Sequence, residues 1–145
     1  MDQGQPPFAD QLEELSALLM RMGGMCEDAI GNAVSALNDR DSVIAARVIQ
    51  GDQEIDALEL QIDSLCMDIL VRQQPMARDL RLITTAMKIT PDLERIADHA
   101  VNIAERALEL NDEPPLPSII RLFMNFVRTR SPYLASGRIS RFSAA

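Results

Sequence analysis

The sequence predicts an all-α protein, an antiparallel three-helix bundle followed by a short fourth helical stub. Apolar residues recur at alternating steps of four and three through residues 8–37, 41–72 and 76–110, the period of amphipathic helices. Only short turns separate these stretches, which favours antiparallel packing of neighbouring helices. The chain is 47% hydrophobic but only 3% aromatic, so aliphatic and alanine side chains must fill the core.

The first predicted helix is interrupted by Gly23 and Gly24. A glycine inside a helix costs about 1 kcal/mol relative to alanine. We therefore expect either a local kink or a close helix contact here, or room for a site beside the helix. The apolar positions that define this helix are Phe8, Leu12, Leu15, Leu19, Met22, Cys26, Ala29, Ala33 and Leu37.

The second helix is bounded by recognisable start and stop signals. Asp39 or Asp41 can cap its first turn by accepting backbone N–H bonds. Pro75 fits the first turn of the third helix, where its missing N–H costs nothing. The apolar positions of the second helix are Val48, Gly51, Ile55, Leu58, Ile62, Leu65 and Ile69.

Pro91 lies inside the third helical stretch. It lacks an N–H and its ring crowds the carbonyl of Met87, so we expect it to kink the helix or to restart it, with Thr90 as a cap for the restarted part. Two apolar stripes also run along this stretch, as expected for a helix that touches two others. The first comprises Leu82, Ala86, Ile89, Leu93, Ile96, Ala100, Ile103, Ala107 and Leu110. The second includes two polar members, Thr90 and Glu94, and comprises Leu80, Ile83, Met87, Thr90, Glu94, Ala97, Val101, Ala104 and Leu108.

Two pairs of acidic residues are candidate metal ligands. Glu94 and Asp98 are four residues apart and share a helix face. If the chain folds back near residue 74, Asp52 and Asp56 stand at the same level on the second helix, and Glu27 on the first helix is a weaker contributor. Carboxylates without His or Cys suit hard cations. The alternative is a solvated face neutralised by Arg95 and water.

The run PMARDLRLITTAMKITPDLERIADHAVNIAE, residues 75–105, resembles the signature of the PhoU family, accessory and regulatory proteins of bacterial phosphate uptake. The resemblance extends over about residues 8–112. It implies a protein of two similar three-helix bundles with acidic ExxxD or DxxxD motifs that can bind metal, iron or zinc among them. Glu94 to Asp98 matches such a motif.

Composition narrows the classes of function. The net charge of −8 argues against a nucleic-acid partner held by phosphate contacts. The sequence contains no run of 18 apolar residues, so it predicts no transmembrane helix. The first residues are polar and do not resemble a signal peptide. We therefore expect a cytoplasmic protein. Cys26 and Cys66 lie within apolar helical patterns, which predicts buried free thiols.

No catalytic arrangement is evident in the sequence, and we predict that the protein is not an enzyme. His99 is the only histidine, and neither a Gly-rich phosphate loop nor a CxxC motif is present. Arg78 and Arg81 could bind phosphate bidentately, but cations at a helix start oppose the helix dipole, and Asp79 can neutralise them.

The character of the chain changes near residue 113. Residues 1–113 hold all 22 acidic and nine basic residues, a net charge of −13, whereas residues 114–145 hold five Arg and no acid. We therefore expect a bundle domain over 1–112 and a linker, a helical stub at 118–127 and an irregular tail over 113–145. This pattern suggests a family member shortened or frame-shifted after about residue 127.

The resemblance implies a binding module that lowers phosphate-starvation signalling through a phosphate ABC transporter and a sensor histidine kinase. Exposed apolar surface also favours a homodimer. The alternative is a metal-binding helical protein, for storage or as a structural cluster, with Glu94, Asp98, Asp52 and Asp56 binding Fe, Zn, Mg or Mn that folding does not require. A third interpretation is an inert helical fragment.

Overall fold

The computed structural model describes residues 7–114 and confirms the three predicted helices. Helix α1 spans Phe8–Asp39, α2 spans Ser42–Gln73 and α3 spans Ala77–Asn111. Each helix packs against both others, so the described residues form an antiparallel three-helix bundle. The predicted stub at 118–127 and the irregular tail lie outside the described residues.

Short turns with left-handed residues connect the helices. Asp41 caps α2, as predicted, because its carboxylate accepts the backbone N–H groups of Val43 and Ile44 at 2.9 and 3.0 Å. Arg40 adopts φ 55° at the end of α1 and Gln74 adopts φ 46° at the end of α2. The prediction for Pro75 was wrong by two residues, since it precedes the N-cap Met76 rather than opening α3.

The core is built from aliphatic side chains on α1 and α2 and mainly from alanine on α3. Large buried side chains fill the half of the bundle near the α2–α3 turn, among them Leu15, Ile62 and Ile83. The other half is a cluster of mainly small side chains from all three helices: Ala33, Ala36, Ala45, Val48, Ala100, Ala104 and Ala107. The buried positions of α3 are Ile83, Ala86, Thr90, Ala97, Ala100, Ala104 and Ala107.

The structure separates the members of the first predicted stripe of α3. Its alanines Ala86, Ala100 and Ala107 are buried, but its larger members Leu82 and Ile89 are largely exposed, as is Ile96. The small side chains of α3 face the interior, because alanine allows the other two helices to pack closely against it. The large residues are left at the exposed edge of α3.

The structure corrects one part of each expectation about helix interruption, the restart of α3 at Pro91 and the close contact at Gly23 and Gly24. Helix α3 continues through Pro91 without a restart, and Thr90 is an interior residue whose hydroxyl donates to the carbonyl of Ala86 at 2.9 Å. Helix α1 likewise runs unbroken through Gly23 and Gly24. A Cβ atom at either glycine would meet no atom within 4 Å, so neither glycine serves a close contact within the described residues.

Buried polar and sulfur atoms link the helices at defined heights. The thiol of Cys26 on α1 donates to the carbonyl of Leu93 on α3 at 3.2 Å. Gln11, which is buried on α1, donates to Asp68 on α2 and accepts from Gln73. Cys26 and Cys66 are buried free cysteines, as predicted. These links fix how far α1 is shifted along its neighbours.

Candidate functional site: an acidic face on helices 2 and 3

Six carboxylates form one acidic face along the groove between α2 and α3. Helix periodicity places the α2 members on one side of that helix and the α3 pair on the facing side of the next. The carboxylates of α2 and those of α3 raise one another's pKa values, which indicates that the two groups lie near one another. The acidic face consists of Asp52, Asp56, Glu59 and Asp63 on α2 and Glu94 and Asp98 on α3.

Glu94 on α3 interacts with carboxylates of both helices. Partial burial raises its pKa, and the charges of Asp98, Glu59 and Asp56 raise it further. A side-chain hydrogen bond to Asp98 has the same effect. Since both α2 and α3 contribute to this shift, the pairing of helices that we predicted from the fold-back point brings the two acidic pairs to one level.

The pKa values of Asp52 and Glu59 on α2 are raised by the same two causes, burial and neighbouring carboxylates. The pKa of Asp52 is raised first by burial and then by the charges of Asp56 and Asp98. The pKa of Glu59 is raised by burial and by Asp63, Asp56 and Asp98. The sequence analysis did not single out Glu59 or Asp63. Their spacing of three and seven from Asp56 was the available signal, because it places them on the same edge of α2.

No basic residue neutralises the centre of the acidic face among residues 7–114. Arg95 pairs with Asp92 at 2.8 Å and not with Glu94 or Asp98, so the alternative in which Arg95 neutralises these acids was wrong on that point. The other two ion pairs of the described residues are Arg72 with Asp68 and Arg106 with Glu109. The acidic face therefore keeps an excess of negative charge that a cation or a basic partner would relieve.

The donor set of the acidic face restricts the kind of metal that it could hold. Hard cations such as Mg²⁺ and Mn²⁺ prefer carboxylate oxygens and retain several waters. In the part of the chain that the structure describes, no three His, Cys, Asp or Glu side chains converge as a ligand set. The residues thus fit a hydrated cation held by a carboxylate pair and do not fit an enclosed site. Glu27, the weaker predicted contributor, is exposed on α1.

The start of α3 carries Arg78 and Arg81, the candidate phosphate-binding residues of the sequence analysis. Arg78 and Arg81 are both exposed, and neither forms an ion pair with Asp79 among residues 7–114. His99 is exposed on α3 and lines an open apolar pocket of about 370 Å³ together with Leu37 and Ile103. None of the described helices is long and apolar enough to cross a membrane.

Comparison with known proteins decides the family. Residues 19–107, which include the acidic face, match the family described as the PhoU domain. The chain belongs to the PhoU family. The resemblance that residues 75–105 carry in the sequence is thereby confirmed.

Full-length PhoU relatives are about twice as long as the matched region. A phosphate-specific transport system accessory protein PhoU homolog from Pseudomonas putida is 44% identical over 110 residues, 76% of this chain and 43% of the relative. The accessory protein PhoU of Escherichia coli strain K12 is 38% identical over 115 residues, 79% of this chain and 48% of the relative. The chain spans about half the length of these curated relatives.

A solved structure supports the same assignment at the level of the fold. The crystal structure of PhoU from Pseudomonas aeruginosa superposes with a TM-score of 0.74 at 40% sequence identity. The match covers 85% of this chain and 60% of the crystallised chain. The helical bundle described above is therefore the PhoU fold.

Proposed function

We propose that this chain is an accessory regulator of phosphate uptake that lowers phosphate-starvation signalling. The observation that carries the proposal is the match of α1–α3 to phosphate-specific transport system accessory proteins. The role is one of binding and involves no chemical reaction. By analogy with the family, its partners are a phosphate ABC transporter and a sensor histidine kinase, both met at the cytoplasmic side of the membrane.

The acidic face is the proposed docking surface for such a partner. It holds six carboxylates along one groove, three of which have a raised pKa because of burial and mutual repulsion. A basic surface on the partner would relieve this repulsion. Charge complementarity of this kind increases the association rate and makes it sensitive to salt.

The regulatory role can be tested in bacteria that lack their own PhoU-family protein. We expect the full chain to lower the activity of a phosphate-starvation reporter during growth at high phosphate. The double variant Glu94→Gln/Asp98→Asn should lose this effect. The control Asp10→Asn/Glu14→Gln removes an acidic pair of the same spacing from α1 and should retain it. A folded, abundant chain that leaves the reporter unchanged would contradict the proposal.

A metal-binding role is the second candidate, and the mutual repulsion within the acidic face favours it. We propose that a carboxylate pair such as Glu94 and Asp98, or Asp52 and Asp56, holds a hydrated cation. Calorimetric titration with Mn²⁺, Mg²⁺, Zn²⁺ and Fe³⁺ tests this, with the same two double variants. Binding by a chain that has no effect on the reporter would favour storage or a structural cluster over regulation.

We also propose that the chain self-associates as a homodimer. Large apolar side chains remain exposed on α3, and contiguous apolar surface of this kind favours association. Sedimentation of the purified chain tests this, and a monomer at all accessible concentrations would contradict it.

A further inference from the structure

We infer that the groove between α1 and α2 is a binding site for an apolar dipeptide with free amino and carboxyl ends. The inference rests neither on the proposed role in phosphate uptake nor on the proposed self-association. This α1–α2 groove has a volume of about 360 Å³. A volume of this size lies at the lower end of the range for small-molecule sites, which have an apolar lining and a few polar groups that orient the ligand.

The floor of the α1–α2 groove is apolar. Val48 and Ile55 on α2 are 6% and 2% exposed, and Ala29 and Ile44 beside them are half-buried. Gly51 also lines the groove, and a Cβ atom at Gly51 would meet no atom within 4 Å. A larger residue at this position would project into the groove. The glycine therefore leaves open space in which the apolar side chains of a ligand can cover the floor.

Opposite charges stand on the two walls of the α1–α2 groove without meeting. Asp28 and Asn32 line it from α1 and Arg47 lines it from α2, and all three are exposed. The ion pairs formed within residues 7–114 include neither Asp28 nor Arg47. A ligand with an ammonium group at Asp28 and a carboxylate at Arg47 would supply a partner for each charge. Arginine binds carboxylates bidentately, and the amide of Asn32 is a further donor.

The spacing of the two charges sets the length of the ligand. Counted from Arg40 in the α1–α2 turn, Asp28 lies 12 residues before it and Arg47 lies 7 residues after it. The difference of five residues corresponds to roughly 7–8 Å along antiparallel helices. An extended dipeptide spans roughly 7 Å, whereas a single amino acid spans about half of that. Asn32, eight residues before the turn, is level with Arg47 and meets the same carboxylate.

The charge of the surrounding surface favours a ligand without net charge. Residues 1–113 hold 22 acidic and nine basic residues, a net charge of −13, which repels an anion. A purely cationic ligand would leave Arg47 without a partner and would be repelled by it. A zwitterion avoids both costs, and its apolar side chains remove the floor of the groove from water.

Filling the groove tests where the ligand lies. The probe is leucyl-leucine, followed through the amide resonances of the isotope-labelled full chain, with a Kd on the order of 0.1–1 mM expected for a ligand of this size. We expect saturable shifts around Gly51, and Gly51→Leu should abolish them because its side chain occupies the groove. Gly31→Leu is the matched control and should bind as the parent does. Gly31 does not line the groove, and an added Cβ there likewise meets nothing within 4 Å.

Capped dipeptides test the two charges separately. Leucyl-leucine amide lacks the carboxylate and N-acetyl-leucyl-leucine lacks the ammonium group. We expect each cap to weaken binding to the parent chain roughly tenfold, the lower end for hydrogen bonds to a charged group. In Arg47→Gln the amide cap should have no further effect, and in Asp28→Asn the acetyl cap should have none. In each case the protein already lacks the charge that the capped group would meet.

The outcomes separate the position of the site from its chemistry. Absence of saturable shifts with leucyl-leucine overturns the inference, and so does binding that Gly51→Leu leaves intact or that Gly31→Leu weakens equally. Caps that have no effect on the parent chain, or the same effect in the matching variant as in the parent, overturn the assignment to a dipeptide with free ends. The capped probes act on the unaltered chain, so they test the charges even where Gly51→Leu fails to fold.

Discussion

The guanidinium of Arg40 donates a hydrogen bond to the carbonyl oxygen of Leu110, 70 residues further along the chain. The same nitrogen donates to the carbonyl of Glu113. Helix ends leave carbonyl groups without partners within the helix, and a cation near a helix C-terminus also complements its dipole. Arg40 thus joins the α1–α2 turn to the end of α3 and closes that end of the bundle.

We expect Arg40→Ala to destabilise the fold by about 1.5 kcal/mol, the lower end of the range for hydrogen bonds made by a charged donor. Arg40 also adopts φ 55°, a conformation that costs a non-glycine residue about 1 kcal/mol. Arg40→Gly loses the same hydrogen bonds but relieves this cost, so it should be the milder change. Urea denaturation of both variants measures the difference, and an equal loss would show that the backbone conformation contributes nothing.

Alanine at Gly23 or Gly24 should stabilise the protein by about 1 kcal/mol each, because glycine is that much less favourable in a helix interior. Neither residue has a positive φ, and an added Cβ would meet nothing within 4 Å. Thermal unfolding of the single and double variants tests this. The control is Gly51→Ala on α2, where the added Cβ likewise meets nothing within 4 Å. Unchanged or lower stability in all three would mean that these positions contact something outside the described residues.

Periodicity was sufficient to predict the three helices but not how α3 is rotated about its axis. Both apolar stripes of α3 satisfy the helical period, and the choice of Ala86, Ala97, Ala100 and Ala104 for the interior depends on how closely the other helices approach. A single sequence contains no measure of that distance. The exposure of Ile89 and its neighbours could therefore be seen only in the structure.

For the acidic face, the heights of the acidic residues along the bundle could be predicted from the sequence, but the ion pairs could not. Counting residues from the α2–α3 turn placed Asp52 and Asp56 level with Glu94 and Asp98, because helices of equal rise run antiparallel from that turn. The role of Arg95 could not be predicted, since both Asp92 and Asp98 lie three residues from it. The structure pairs Arg95 with Asp92, and no ion pair among residues 7–114 includes Glu94.

Cys26 and Cys66 should react slowly with thiol reagents in the native protein. Burial raises the pKa of the Cys66 thiol to about 11, and the charge of Asp63 adds to the effect. The pKa of Cys26 is raised by burial and by Asp52. Because the thiolate is the reactive form, little of either thiol is available at pH 8. Ellman's reagent should count two thiols rapidly in guanidinium chloride and much more slowly without it; rapid native reaction would contradict the burial of both.

Neutralising the acidic face should stabilise the protein at neutral pH and have no effect in acid. The pKa of Glu94 is raised above 4.5 and that of Asp52 above 3.8 in the folded state, chiefly by burial and then by neighbouring carboxylates. A carboxyl group whose pKa is higher in the folded state favours folding in its protonated form. Its contribution is fully present below the unfolded pKa and is lost as the pH rises through the folded pKa.

The variant Glu94→Gln removes this loss because glutamine stays neutral. We expect a gain in the free energy of unfolding at pH 7 of about 0.2–0.5 kcal/mol, the size of one like-charge pair on a helix, reduced by solvent screening at the surface. The gain should vanish below about pH 4, where most carboxyl groups carry a proton. Glu14→Gln on α1 is the matched control, and urea denaturation at a series of pH values is the measurement. A gain that persists at low pH would assign the effect to packing or helix propensity instead of repulsion within the acidic face.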